Sequence, residues 1–230
     1  MKGQIPVVTI DGPSGTGKGT ISTMLARELG WHFLDSGALY RLVGVGAELN
    51  NIKYSNIKEI VSFSENMDVV FSGKFEGSIE LNGEEISDLI RAESSGAKAS
   101  LVGAIPEIRQ ALSDRQLAFR QPPGLVADGR DMGTVVFPDA VCKFFLTASP
   151  EERAQRRYKQ LINKGLNVNL RALLQDIQER DKRDSERSVS PLLPAEDARV
   201  IDTTELSIDQ VFEQVLQTTR KALSTHSPAN

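Results

Sequence analysis

The stretch Ile5-Pro6-Val7-Val8-Thr9-Ile10-Asp11-Gly12-Pro13-Ser14-Gly15-Thr16-Gly17-Lys18-Gly19-Thr20 decides the fold. Ile5 to Ile10 is apolar and largely β-branched, and Asp11-Gly12 closes it, which predicts a buried strand. Ile21, Met24, Leu25 and Leu29 follow at helical spacing, and Gly30 stands where such a helix stops. Gly12 to Thr20 lies between them as a glycine-rich loop whose backbone N–H groups can turn inward around an anion. The helix N-terminus adds its positive dipole end, and Lys18 adds a point charge for β- and γ-phosphates. Strand, loop and helix in this order define a P-loop. The common pattern has Ser or Thr directly after the lysine, but here Gly19 takes that place and Thr20 comes next. Thr20 or Thr16 is left to approach a nucleotide-bound Mg²⁺. Asp128, at the end of a later strand, is placed to orient metal-bound water or to cap the turn after it. The loop predicts a nucleoside triphosphate site but no particular reaction, since P-loops serve switches, motors and kinases alike.

Outward from this stretch, Trp31 to Leu34 predicts a second strand ended by Asp35-Ser36-Gly37, and Leu39, Leu42, Val43 and Leu49 a second helix. A β-loop-α-β-α beginning implies a parallel sheet with crossover helices. Gly124–Ala127, Ala140–Leu146 and Val200–Ile201 add three strands. Ser149-Pro150-Glu151-Glu152 opens a helix, with Ser149 and Glu152 as a capping box. Pro106 opens another, and Ile208, Val211, Phe212, Val215 and Leu216 mark a closing helix. Between Asn66 and Ser87 the pattern becomes alternating, with short strands at Val69-Val70-Phe71 and Lys74-Phe75 and a hairpin turn at Asn82-Gly83. The expected fold is α/β: a three-layer P-loop domain over 1–230 with a five-stranded parallel sheet. Within it, 37–100 forms an insertion bearing a small antiparallel sheet, 153–166 a short lid, and 224–230 a disordered tail.

The composition narrows the class. With 230 residues and 40% hydrophobic side chains, the chain can bury a sizeable core. A net charge of −4 argues against a general nucleic-acid binder. Cys142 is the single cysteine, so a disulfide framework is excluded and a cytoplasmic setting favoured. No stretch approaches the roughly 20 apolar residues of a membrane span. Neither His32 nor His226 sits where a base is needed, and no His/Cys cluster has metal-ligand spacing.

The arginines point to the acceptor. Leu170, Leu173, Leu174 and Ile177 form a helical stripe that continues as Arg180, Asp184 and Arg187, aiming charge into a cleft. Arg153, Arg156 and Arg157 share one face of the helix after Ser149. Arg41 and Arg130 follow the turns after the second and third strands. Ligands of open parallel sheets bind beyond strand carboxyl ends, where these cations collect. An alcohol acceptor needs a carboxylate to take its proton. A nucleotide phosphate is already anionic and needs neighbouring cations instead. This predicts phosphoryl transfer between nucleotides without a general base. The alternatives are a different P-loop kinase of a small molecule or another monophosphate, or a non-catalytic switch. A guanine-reading Asn-Lys-x-Asp is missing, since Asn163-Lys164-Gly165-Leu166 lacks the acid.

TIDGPSGTGKGT at Thr9–Thr20, FLDSGALYR at Phe33–Arg41, ADGRDMGTVVFPDA at Ala127–Ala140 and ERDKRDSERSVSPL at Glu179–Leu192 together resemble the bacterial cytidylate kinases, nucleoside monophosphate kinases of the P-loop class. The resemblance covers nearly the whole chain. It implies a monomer in pyrimidine nucleotide metabolism that transfers the ATP γ-phosphate to CMP or dCMP, with Mg²⁺ arriving on ATP. It implies that Gly12, Pro13, Ser14, Gly15, Thr16, Gly17, Lys18, Gly19 and Thr20 hold ATP, with Arg156 in the lid. It also implies that Ser36, Arg41, Ser100, Arg109, Arg130, Asp131, Arg180, Asp184 and Arg187 bind CMP. Lys18, Arg130, Arg180 and Arg187 are the expected catalytic group. Asp131 suits cytosine, whose exocyclic amine donates a hydrogen bond where uracil has a carbonyl.

Overall fold

The computed structural model describes residues 4–71 and 78–226. Two compact units are formed, one of residues 1–35 and 117–230, the other of residues 36–116. β1 (Val7–Asp11) is buried at every position and lies at the centre of its sheet, where its branched apolar run belongs. α1 (Lys18–Leu29) rises from the glycine-rich loop, buries Ile21 and Leu25, and ends at Gly30 in a left-handed conformation. β2 (His32–Asp35) is an edge strand, and α2 (Ser36–Leu49) begins on the next residue. The turn expected at Asp35-Ser36-Gly37 is therefore absorbed into a helix.

The unit 36–116 continues with α3 (Ile57–Asn66), β3 (Val69–Phe71), β4 (Ile79–Leu81), β5 (Glu84–Glu85), α4 (Ser87–Arg91), α5 (Glu93–Val102) and α6 (Pro106–Leu117). β3, β4 and β5 form the expected antiparallel sheet. Asn82 and Gly83 make its hairpin with φ of 52° and 84°. The strand expected at Lys74-Phe75 falls outside the described residues. Gly44 and Gly46 lie on opposite sides of α2 and admit a neighbour each. A Cβ on Gly44 would stand 2.8 Å from Lys98 Cβ on α5, and one on Gly46 would stand 2.3 Å from Phe63 Cζ on α3. Neither α3 nor α4 was legible as a periodic stripe; α3 buries only Ile60 and Ser64.

The other unit resumes with β6 (Leu125–Gly129), a π-helical turn (Met132–Val136), β7 (Cys142–Thr147), α7 (Pro150–Asn163), α8 (Leu170–Glu186), β8 (Arg199–Asp202) and α9 (Ile208–His226). Its sheet is five-stranded in the order β2-β6-β1-β7-β8, and every pairing is parallel. β6 and β7 flank β1, so the switch point of the sheet falls at the carboxyl end of β1, where the loop begins. Side chains alternate across the sheet. Val8 and Ile10 join Ile21, Leu25, Val126, Phe144, Leu146, Val211 and Val215 in an apolar core. Burial of each such side chain stabilises the fold by about 1.5–3 kcal/mol. Thr9, Asp11 and Lys143 occupy the opposite face and are also buried.

Ser149 Oγ caps α7 by accepting from Glu152 N at 3.2 Å. The capping box is only half made. The Glu152 carboxylate instead accepts from Arg156 Nε at 2.9 Å, and Ser149 N donates to Thr204 Oγ1 at 3.0 Å. α9 runs to His226, so residues 224–226 of the expected tail are helical, and 227–230 are outside the described residues. Among the described residues, no helix is long and apolar enough to cross a membrane.

Candidate active site

Gly12 takes the chain out of β1 at φ 144°, and a Cβ there would lie 2.1 Å from the Leu146 carbonyl oxygen. Only glycine lets the loop leave the sheet this close to β7. Within the loop, Lys18 Nζ donates to Pro13 O at 3.2 Å and lies 4.0 Å from Asp128 Oδ1. Thr16 Oγ1 also donates to Pro13 O, and Thr203 Oγ1, just past β8, donates to Thr16 O, each at 3.1 Å. Burial lowers the Lys18 ammonium to about 7. The charge of Arg130 adds to that effect, Asp128 opposes it, Arg180 adds again and Asp35 opposes. Arg130 and Arg180 thus weaken the lysine's hold on its proton, and a polyanion bound there would relieve their repulsion.

Two buried carboxylates hold the arginines. Arg130 Nε donates to Asp184 Oδ2 at 3.1 Å, and Arg180 Nε lies 3.8 Å from the same oxygen. Arg187 Nη2 is 4.0 Å from Asp131 Oδ1, and Arg187 Nε donates to Ser190 O. Arg187 is not on α8, as the stripe implied. It follows the helix end in extended backbone, while Arg180 and Asp184 remain on the last turns.

The expected cluster of Arg153, Arg156 and Arg157 divides into three separate tasks. Arg153 is 2% exposed and lies behind the phosphate loop. Its guanidinium donates to Ala148 O at 3.0 Å, to Ser14 O at 3.2 Å and through both Nη atoms to the Asp181 carboxylate. Arg156 is engaged by Glu152, by Thr203 Oγ1 at 3.1 Å and by Thr203 O. Arg157 donates to Gln160 Oε1 at 3.2 Å. Arg153 is therefore part of the scaffold, because helical spacing alone does not say which way a long side chain turns.

In the unit 36–116, Ser36 is buried and its Oγ accepts from Gln116 Nε2 at 3.0 Å. Arg109 stacks over the Tyr40 ring at 5.5 Å from its centroid and donates to Gly103 O at 3.2 Å. Ser100 is buried on α5, and Arg41 is half-buried on α2.

Sequence reasoning missed Asp11, Thr203 and Asp181, each a short polar residue that reads as a strand end or a solvated helix position. His32 Nε2 lies 2.9 Å from Pro122 O. Burial raises the half-buried Cys142 thiol to about 11, which leaves it unreactive.

The donors near the loop suit Mg²⁺ held through a nucleotide. The Asp128 carboxylate is a hard oxygen donor beside Lys18. A Cβ on Gly19 would lie 3.3 Å from Asp128 Oδ2, so the missing hydroxyl at that position leaves the carboxylate room. The Thr16 hydroxyl is buried and turned into the loop, whereas Thr20 is exposed. Among the described residues, no group of three or more His, Cys, Asp or Glu side chains is arranged for a metal.

An all-parallel sheet with a lysine-bearing phosphate loop at the end of its central strand, and arginines gathered on the buried carboxylates of the same unit, defines a P-loop phosphotransferase. A sequence model described as cytidylate kinase matches residues 8–221. The cytidylate kinase of Pseudomonas entomophila (strain L48) is 54% identical over 218 residues, covering 94% of this chain and 96% of that one. That of Stutzerimonas stutzeri (strain A1501) is 55% identical over 215 residues, covering 92% and 94%. That of Nitrosococcus oceani is 52% identical over 219 residues, covering 94% and 96%. A solved gluconokinase from Sinorhizobium meliloti 1021 is similar at a TM-score of 0.47 and 14% identity, over 99% of this chain and 100% of that one. The chain belongs to the cytidylate kinase family.

Proposed function

We propose that this protein transfers the γ-phosphoryl group of ATP to CMP or dCMP, giving ADP and CDP or dCDP. The observation that carries the reading is the gathering of Arg130 and Arg180 on one buried carboxylate, Asp184, in the unit whose phosphate loop bears Lys18. A nucleotide monophosphate is largely a dianion at neutral pH, its second pKa being about 6. It attacks without losing a proton, and the barrier lies in bringing it to a second polyanion. Guanidinium groups fixed on buried carboxylates meet that need, because they are already oriented when charge develops.

The loop from Gly12 to Thr20 holds the ATP phosphates, and Arg156 lies on the ATP side. Lys18, Arg130, Arg180 and Arg187 form the catalytic group. Ser36, Arg41, Ser100, Arg109, Arg130, Asp131, Arg180, Asp184 and Arg187 serve CMP. Asp131 accepts from the cytosine amine, and Asp184 serves the ribose hydroxyls. Asp128 would help hold the Mg²⁺ that arrives with ATP, with Thr20 as the second candidate. Bound there, the ion neutralises charge on the β- and γ-phosphates. The segment 37–100 is the monophosphate-binding insertion and 153–166 the lid of a monomeric cytoplasmic enzyme.

A coupled assay with MgATP and CMP, dCMP, UMP or AMP tests this. CMP and dCMP should turn over well and UMP and AMP poorly. Failure of CMP to turn over, or preference for UMP or AMP, would overturn the reading.

A further inference from the structure

Asp11 is the last residue of β1 and is 5% exposed. Its backbone leads into the phosphate loop, but its side chain turns to the opposite face of the sheet. There Oδ1 accepts from Met132 N at 2.9 Å and Oδ2 from Gly133 N at 2.8 Å. These are the first two N–H groups of the π-helical turn, which have no partner within it. The turn follows Arg130 and Asp131 directly, and Asp131 O receives Val135 N and Val136 N. The approach is tight. A Cβ on Gly133 would stand 2.8 Å from Thr9 Oγ1 and 3.4 Å from Asp11 Oδ2. A Cβ on Gly129, beside Asp11 in the sheet, would meet Met132 Cγ at 2.7 Å.

We propose that Asp11 is a positioning residue for acceptor recognition: by clamping the N–H groups of Met132 and Gly133, it fixes the backbone that aims Arg130 and Asp131. The inference rests on the reading of Asp131 and Arg130 as acceptor contacts. One carboxylate then serves both halves of the reaction, since the donor loop starts on its backbone and the acceptor turn hangs from its side chain. Burial raises the Asp11 carboxyl to about 7, against the pull of the two N–H donors, so the charged form is held here only at a cost.

The test is Asp11→Asn, which is nearly isosteric but places an amide NH₂ against one of the two N–H donors. Gly133→Ala, which pushes the same contact from the other side, is the second variant. Both are checked by circular dichroism and thermal melting, and compared with Asp131→Ala. The expected result is a KM for CMP raised on the order of tenfold, a KM for ATP within about twofold, and a narrowed CMP-over-UMP ratio of kcat/KM. A purely structural role would disturb ATP and CMP alike. Equal rises in both KM values, or an unchanged KM for CMP with an unaltered ratio, overturn the inference. If Asp131→Ala leaves the ratio unaltered, the reading of Asp131 fails and the inference falls with it. If Asp131→Ala narrows the ratio while both clamp variants leave it intact, the inference alone fails.

Discussion

Arg187 Nη2 lies 4.0 Å from Asp131 Oδ1, and the two side chains are only 7% and 2% exposed. Two charges withdrawn from water are kept together, and each orients the other. A guanidinium held this way has already lost much of its hydration, so it meets an arriving phosphate with little reorganisation.

Arg187→Ala should therefore lower kcat by about a hundredfold or more while leaving the KM for ATP nearly unchanged. It should also lower the melting temperature, because a buried carboxylate without its partner costs about 3–5 kcal/mol. Steady-state kinetics with both substrates varied, together with a thermal melt, decide the matter. Unchanged turnover would remove Arg187 from the catalytic group.

Lys18 sits at an energetic disadvantage that a bound polyanion would relieve. Its folded pKa is about 7 against an ordinary value of 10.5. A lysine depressed in this way binds its proton more weakly in the folded state than in the unfolded one. It destabilises the fold most below pH 7, and the penalty fades as pH rises from 7 towards 10.5. Lys18→Met should thus abolish turnover and yet melt higher than the parent at pH 6, with the gap closing towards pH 10. A lower melt at pH 6 would contradict the account. ATP binding at pH 8 should take up a proton at this site, measurable by calorimetry in buffers of different ionisation enthalpy.

Arg153 braces the phosphate loop from behind, joining Ser14 O on the loop to Asp181 on α8. Arg153→Lys keeps the charge but loses the planar fork that spans both partners. The KM for ATP should rise several-fold while the KM for CMP stays within about twofold. Asp181→Ala should cost stability towards the low end of about 3–5 kcal/mol, because Asp181 is 26% exposed and partly screened. If Arg153→Lys raises only the KM for CMP, the arginine belongs with the acceptor instead.

Several features were legible because they are written within a few neighbouring residues. The strand–loop–helix at Val7–Leu29, the hairpin at Asn82-Gly83, the cap at Ser149 and the stop at Gly30 all follow from local backbone preference. The π-helical turn was not legible, since Val135 and Val136 carry a strand-like composition into a turn held from outside.

What the amino-acid sequence alone determined was the order of elements, the phosphate loop and the supply of arginines. Backbone conformation and hydrophobic period act over a turn or two of chain and need no distant partner. Which arginines gather on Asp184 and Asp131 and which brace the phosphate loop was decided by the tertiary structure. Asp11 meets Met132 across 121 residues, Arg130 meets Asp184 across 54 and Arg153 meets Asp181 across 28. A charged side chain takes its task from the partner that burial forces upon it, and only the folded sheet brings that partner within reach.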